Sequence, residues 1–206
     1  MSDRRAYAAG AAYYDLLSGE LVYRAGRAAG VKLLDLQPGD TVLDVGCGTG
    51  LNFAHLVDAV GATGRVVGVD RSPDMLRVAR RRIARRGWES VSVVQVDATE
   101  FTLADLGGRR VDAALSTYAM SVIDDAAAAW ARIRAVLKPN GRVCIVDMQE
   151  PTGAARVLAP LARLACTMGG SDIDAHPWNL LATAAPAVQT RSLRGGHIQV
   201  VAGTVT

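Results

Sequence analysis

Residues 42–50 read VLDVGCGTG. An apolar run that suits a strand passes into Gly46, Gly48 and Gly50, so the strand ends in a loop stripped of three side chains, where backbone approaches a ligand closely. A helix beginning near Leu51 would offer that ligand unpaired N–H groups and a positive dipole end. The spacing is G-x-G-x-G. A dinucleotide fold uses G-x-G-x-x-G, and a phosphate-cradling loop needs a following Gly-Lys-Ser/Thr, which is absent. Asp44 stands two residues before the first glycine, where a carboxylate repels a pyrophosphate and pairs with an ammonium group. The loop therefore predicts a cationic or zwitterionic ligand.

Two further acids extend the pattern. Asp70 closes RVVGVD about 20 residues past the loop, where an acid accepts from a ribose hydroxyl. Asp97 closes VSVVQVD and can accept from an adenine amino group, with the N–H of Ala98 available to a ring nitrogen. A single acid at a strand end is ordinarily a turn or helix cap. Three acids at three successive strand ends, beside a glycine loop, point to a nucleoside carrying an amino-acid-like group.

The strands TVLDV, RVVGVD, VSVVQVD, VDAALS and RVCIVDM alternate with helical stretches such as LNFAHLVDAVG, SPDMLRVARRRIARRG and DDAAAAWARIRAVL. That alternation predicts an α/β fold, a Rossmann-like doubly wound sheet, mostly parallel and covered on both faces. Ser72 before Pro73 marks a helix start, Asp124 and Asp125 suit another, and Pro139-Asn140-Gly141 marks a turn after a helix. AVQTRSL and HIQVVAGTV, joined through Gly195 and Gly196, read as an antiparallel hairpin that brings the sheet to seven strands. One domain is expected over 1–206: an N-terminal helical cap over 1–38, a cofactor-binding core over 40–148, and a helix, loop and hairpin over 149–206. Within the last part, ARVLAPLARLACTM is expected to be kinked by Pro160 and to pack onto the sheet, or else to line an acyl or ring pocket.

Composition narrows the class. Half of the 206 residues are apolar and 21% are charged, the balance of a folded globular chain, and a net charge of +3 does not announce a nucleic-acid binder. Much of the basicity sits in RVARRRIARRG, which reads as a solvated helix face or, less directly, as a peripheral membrane contact. Cys47, Cys144 and Cys166 lack CxxC spacing or histidine pairs, so no disulfide framework or metal site is expected and a reducing cytoplasm suits them. No apolar run reaches the ~18 residues of a spanning helix.

VLDVGCGTG, VVGVDRSPDML, VVQVDATEF, VDAALSTYAMSVIDD and LKPNGRVCIVDM together resemble the ordered motifs of class I S-adenosylmethionine-dependent methyltransferases, over residues 40 to 148. Within that class LQPGDTVLDVGCGTG, GVDRSPDMLRVAR and LKPNGRV look like the branch of menaquinone and ubiquinone C-methyltransferases and phospholipid N-methyltransferases. The stretch after Met148 is short for the quinone enzymes. The resemblance implies S-adenosyl-L-methionine as cofactor, with Asp44, Gly46, Cys47, Gly48 and Gly50 at its methionine part. It implies Asp70 on the ribose, Arg71 and Met75 along the adenine, and Asp97 and Ala98 on the adenine edge. Ser116 and Tyr118 would lie near the sulfonium and the acceptor. YYDLLSGELVYRAGR looks like that branch's first helices, which makes Tyr14 and Arg27 cofactor contacts.

The expected reaction is an in-line methyl transfer to a small-molecule or lipid acceptor. Transfer of the aminocarboxypropyl group, or cofactor binding without catalysis, remains open from the sequence. If a proton acceptor is needed, His176 in DAHPWNL and Tyr118 are the candidates, whereas His55 and His197 suit ordinary structural roles.

Overall fold

A computed structural model describes residues 20–206; Tyr14 lies outside the described residues. The chain runs α1 (Glu20–Leu34), β1 (Thr41–Val45), α2 (Phe53–Val60), β2 (Arg65–Asp70), α3 (Pro73–Arg86), β3 (Val91–Gln95) and β4 (Val111–Thr117). It continues through a 3-10 turn (Met120–Val122), α4 (Ala126–Val136), β5 (Leu137–Met148), a second 3-10 segment (Gly153–Leu158), α5 (Ala159–Gly169), α6 (Trp178–Ala184), β6 (Val188–Leu193) and β7 (Ile198–Val205).

The strands form one sheet in the order β3-β2-β1-β4-β5-β7-β6. The five strands from β3 to β5 are parallel, and β7 runs antiparallel to both β5 and β6. The expected hairpin is therefore present, with its second strand inside the sheet and its first at the edge. Between β1 and β4 the strand order reverses direction, which opens a crevice at their carboxyl ends.

Apolar residues on opposite faces of the central strands produce two cores. Val42, Val66, Leu115, Val146 and Val200 pack against α1, α2 and α3, while Leu43, Val67, Ala114, Ile145 and Val201 pack against α4 and α6. Glycines let α1 lie close to the sheet: a Cβ on Gly30 would come within 2.6 Å of the Val146 side chain.

Local capping follows the sequence closely. Ser72 accepts from the Met75 N–H, Pro73 opens α3, and Gly87 ends it in left-handed geometry. Asp125 caps α4 by accepting from the Ala128 N–H at 2.8 Å. Two expectations shift. The helix after the glycine loop starts at Phe53 rather than Leu51, because residues 49–52 are spent on turns. Pro160 does not kink a helix; it sits in the first turn of α5, where its missing N–H costs no bond, and the preceding residues form the 3-10 segment instead.

The arginine run lies on α3. Leu76 and Ala79 are buried, whereas Arg77, Arg80, Arg81, Arg85 and Arg86 face solvent, with Arg77 paired to Asp74 and Arg86 6.0 Å from the Trp88 ring centroid.

Candidate active site

The crevice between β1 and β4 collects the loop Gly46–Gly50 from one side and Tyr118 from the other. All three loop glycines have positive φ, of 67°, 54° and 77°. Their neighbours differ. A Cβ on Gly46 would stand 2.4 Å from the Ala119 Cβ, and one on Gly50 would stand 2.5 Å from the Phe53 ring, so these two positions need glycine for the protein's own packing. At Gly48 a Cβ would meet nothing within 4 Å, which leaves this turn of backbone open on its outer side.

Asp44 is completely buried at the end of β1. Its Oδ1 accepts from Asn52 Nδ2 at 2.9 Å, and the same amide donates to Thr117 Oγ1 at 3.0 Å. Its Oδ2 has no hydrogen-bond partner among the described residues. Burial pushes the Asp44 carboxyl up to about 7; the Asn52 amide pulls it down, Asp70 adds to the rise and the Arg27 guanidinium opposes it. Arg27, buried on α1, also lies 5.5 Å from the centre of the Tyr118 ring. An orphaned carboxylate oxygen beside a buried guanidinium is the complement of an ammonium group next to a carboxylate.

Asp70 stitches the site together. Its Oδ2 accepts from the Gly48 N–H and its Oδ1 from the Ser72 N–H, each at 2.8 Å. Each oxygen has a second lone pair for a hydroxyl donor. Asp97 is partly a turn cap, since its Oδ1 accepts from both the N–H and the hydroxyl of Thr99, which holds its carboxyl below the usual range; Oδ2 stays available. Ala98 is buried beside it, and Arg71 is exposed and near enough to help lower Asp97. Met75 is half-buried in the first turn of α3. Cys47 is buried against Gly68, and burial raises its thiol well above the ordinary value, which suits a small space-filling side chain.

Two expected residues have their hydroxyls engaged by backbone carbonyls. Ser116 donates its hydroxyl to the Val45 carbonyl at 3.1 Å and braces the strand that leads into the glycine loop. The Tyr118 hydroxyl donates to the Tyr23 carbonyl of α1 at 2.9 Å, and burial pushes its pKa above that of an ordinary tyrosine. A phenol so engaged is a poor base. Its backbone is left-handed, with φ 57°.

Beyond Tyr118 lies a small apolar cluster of Met148, Cys166 and Ile173, with Tyr23, Tyr118 and Ala162 packed against it. Asp147 is buried at the end of β5. It accepts from the Ser121 N–H and hydroxyl and from the Met148 N–H, and burial raises it to about 6 despite those bonds. The Ser121 carbonyl in turn accepts from the Asp172 N–H, which fixes the segment bearing His176 beside the loop that follows β4. His176 has φ 42° and its ring lies 5.2 Å from Trp178. His55 lines a cleft of about 300 Å3 between α1 and α2, with Lys32, Asp35 and Asp58. His197 Nδ1 donates to the Gln149 carbonyl at 2.7 Å, a structural bond. Among the described residues no group of three side chains is placed to hold a metal ion.

Comparison with known proteins settles the family. A family model described as a methyltransferase domain matches residues 36–183, most of the chain and the whole of the glycine loop and strand ends. The chain belongs to the methyltransferase-domain family. S-adenosyl-L-methionine is the family's cofactor, and the orphaned Asp44 oxygen, the open turn at Gly48 and the acids at the β2 and β3 ends fit its charged tail and nucleoside. Curated relatives include 2-phytyl-1,4-naphtoquinone methyltransferase of Trichormus variabilis, 32% identical over 63% of this chain and 56% of its own length. Aklanonic acid methyltransferase of a Streptomyces species is 30% identical over 71% of this chain and 65% of its own length. The match thus spans less than two thirds of either relative. Among solved structures, a SAM-dependent methyltransferase from Aquifex aeolicus superposes with a TM-score of 0.71, covering 97% of this chain and 98% of the other at 17% identity, a likeness of fold.

Asn52 and Thr117 are the site residues that the sequence did not disclose. Asn52 stands where a helix start is expected and gives no sign of reaching back to Asp44; Thr117 lies 65 residues away.

Proposed function

We propose that this methyltransferase moves a methyl group from S-adenosylmethionine to an apolar, ring-containing small molecule. The observation that carries the cofactor half is the buried, unpartnered Asp44 oxygen beside Arg27. In this reading Asp44 takes the ammonium of the methionine tail and Asn52 fixes the orientation of the Asp44 carboxylate. Asp70 holds the ribose and the Gly48 backbone, while Asp97 and the Ala98 N–H face the adenine. Asp70→Ala therefore removes a ribose acceptor and frees the Gly48 N–H together. A loss of about 1 to 3 kcal/mol in affinity for S-adenosylhomocysteine is expected by calorimetry, and unchanged affinity would show that the ribose is held elsewhere.

The acceptor half is supported by the Met148, Cys166 and Ile173 cluster behind Tyr23 and Tyr118, and by relatives named for a naphtoquinone and for aklanonic acid. When bound, the cofactor supplies an activated methyl whose transfer leaves a neutral thioether. The chain's tasks are then to align the acceptor atom behind that methyl and to keep water out. A carbon or phenol acceptor also needs its proton removed, and His176 is the proposed base. Its pinned segment over the β4 loop and its left-handed backbone support that part.

Assay with a reduced naphthoquinone as acceptor tests this. His176→Asn is expected to lower kcat about a hundredfold while leaving S-adenosylhomocysteine affinity intact. A variant with full kcat removes His176 from the reaction, and a chain that methylates amines but no ring acceptor overturns the acceptor reading.

A further inference from the structure

The loop after β4 touches both halves of the proposed site. Ala119 is the residue that a Cβ on Gly46 would strike, so the loop abuts the glycine turn, while Tyr118 packs on the cluster of Met148, Cys166 and Ile173. That cluster has one side of α5 over it. The segment expected to pack onto the sheet turns only Cys166 and Ala162 to the cluster and leaves Leu161, Leu164 and Met168 exposed.

Two attachments hold the loop to β5. The Tyr118 N–H donates to the Val146 carbonyl at 2.8 Å. Ser121 gives its N–H to Asp147 Oδ2 at 3.0 Å and its hydroxyl to Oδ1 at 2.7 Å, and Oδ1 also accepts from the Met148 N–H at 2.9 Å. The Ser121 carbonyl accepts from the Asp172 N–H at 3.0 Å, so one serine passes the hold from Asp147 to the segment after α5. Asp147 is completely buried, and its three donors suit a carboxylate. A neutral carboxyl carries its proton on one of these oxygens, which makes that oxygen a poorer acceptor and sets an O–H among three donors.

We propose that Asp147 is a positioning residue for methyl transfer: its ionised carboxylate holds Ser121, and through Ser121 the loop that brings Tyr118 against the acceptor cluster. The benefit to transfer rests on the proposed reaction; the hold on the loop does not. Burial raises the carboxyl to about 6 against the bonds from Ser121 and Met148, so losing the proton costs the fold stability while it tightens the loop. Gln199 of β7 pairs with Asp147 across the sheet and is neutral. The titratable or charged groups on the other packed elements are Tyr118 and Cys166, both pushed up by burial and by the Asp147 charge, and Arg27 and Arg194 near Tyr118. Asp172, Asp174 and His176 stand on the segment tied to Ser121.

Amide NMR of the full chain with S-adenosylhomocysteine, from about pH 5 to about pH 8, tests the hold without turnover. The Ser121 and Met148 N–H signals are expected to move with a midpoint near pH 6, and the Asp172 N–H, joined to Asp147 through Ser121, to follow with the same midpoint. All three movements should vanish in Asp147→Asn, with kcat on a reduced naphthoquinone about tenfold lower and S-adenosylhomocysteine affinity unchanged. In the parent chain kcat should fall through that midpoint as the pH drops while stability to urea rises, which separates the loss from unfolding. Ser121→Ala removes a donor to the carboxylate and should move the NMR midpoint and the acid limb of kcat upward together; a limb owed to His176 would stay in place. An Asp172 signal that ignores the midpoint overturns the proposal, as does a kcat that does not change through it or a limb that stays put in Ser121→Ala. If the NMR midpoint and the kcat limb move together on an amine but no ring acceptor is methylated, Asp147 keeps its role and the acceptor reading alone fails.

Discussion

Replacing Asp44 with asparagine is expected to weaken S-adenosylhomocysteine binding about a hundredfold at pH 8, because a charged partner of the ammonium is lost from a buried site. The ligand-free protein should become more stable in the same variant. Asparagine keeps an oxygen for Asn52 but removes a buried charge that has one oxygen without a partner. The sign follows from linkage. The folded-state pKa of about 7 lies above the unfolded value of 3.8, so the folded protein holds the proton more tightly, and stability falls as pH rises between those two values. The penalty is complete above about pH 7 and amounts to at most about 4 kcal/mol. Asp147, raised to about 6, adds a fall of the same sign that ends sooner and persists in the variant. The two contributions overlap, so the difference in slope between the parent chain and Asp44→Asn isolates the part due to Asp44. Cofactor affinity should show the reverse trend, rising as Asp44 ionises. Urea titrations and calorimetry across this range check both, and a variant that loses stability and affinity together would contradict the account.

Phe53→Ala should carry the largest cost to stability, about 3 to 5 kcal/mol in urea denaturation, the range for deleting a fully buried aromatic ring. Phe53 is 0% exposed and sits beneath the glycine loop. Its ring is what a Cβ on Gly50 would strike, and it also abuts Gly68 on β2, next to Cys47. The loop is thus shaped from below by a side chain that touches no ligand. Removing the ring should lower cofactor affinity as well, since Gly48 and Asp70 would lose their fixed spacing. A cost below about 1 kcal/mol would mean that the loop is supported by its hydrogen bonds alone.

Local chemistry explains what could be read in the sequence. Strand alternation, the Ser72-Pro73 helix start, the Asp125 cap and the Gly195-Gly196 turn each depend on a few neighbouring residues, and each appears in the structure. So do the glycine loop and the acids at three strand ends. Partnerships across long separations could not be read. The Tyr118 hydroxyl meets the Tyr23 carbonyl across 95 residues, a bond that occupies the donor of a candidate base. Asn52 reaches Asp44 and Thr117 only after β4 is placed beside β1. Asp97 acts as a turn cap through Oδ1, the ordinary role of an acid at a strand end. The apolar run before Met168 fails differently: hydropathy gives its content but not its direction, and the sheet face it would have covered is already taken by α6.

The central claim is that the crevice presents the methyl group of S-adenosylmethionine to a small acceptor. Incubating the chain with methyl-labelled cofactor and a reduced naphthoquinone, then separating the products, tests it most directly. The account predicts S-adenosylhomocysteine in equal amount to a labelled, methylated ring product. Methylthioadenosine with an unlabelled adduct, or tight cofactor binding with no turnover on any acceptor, would contradict it.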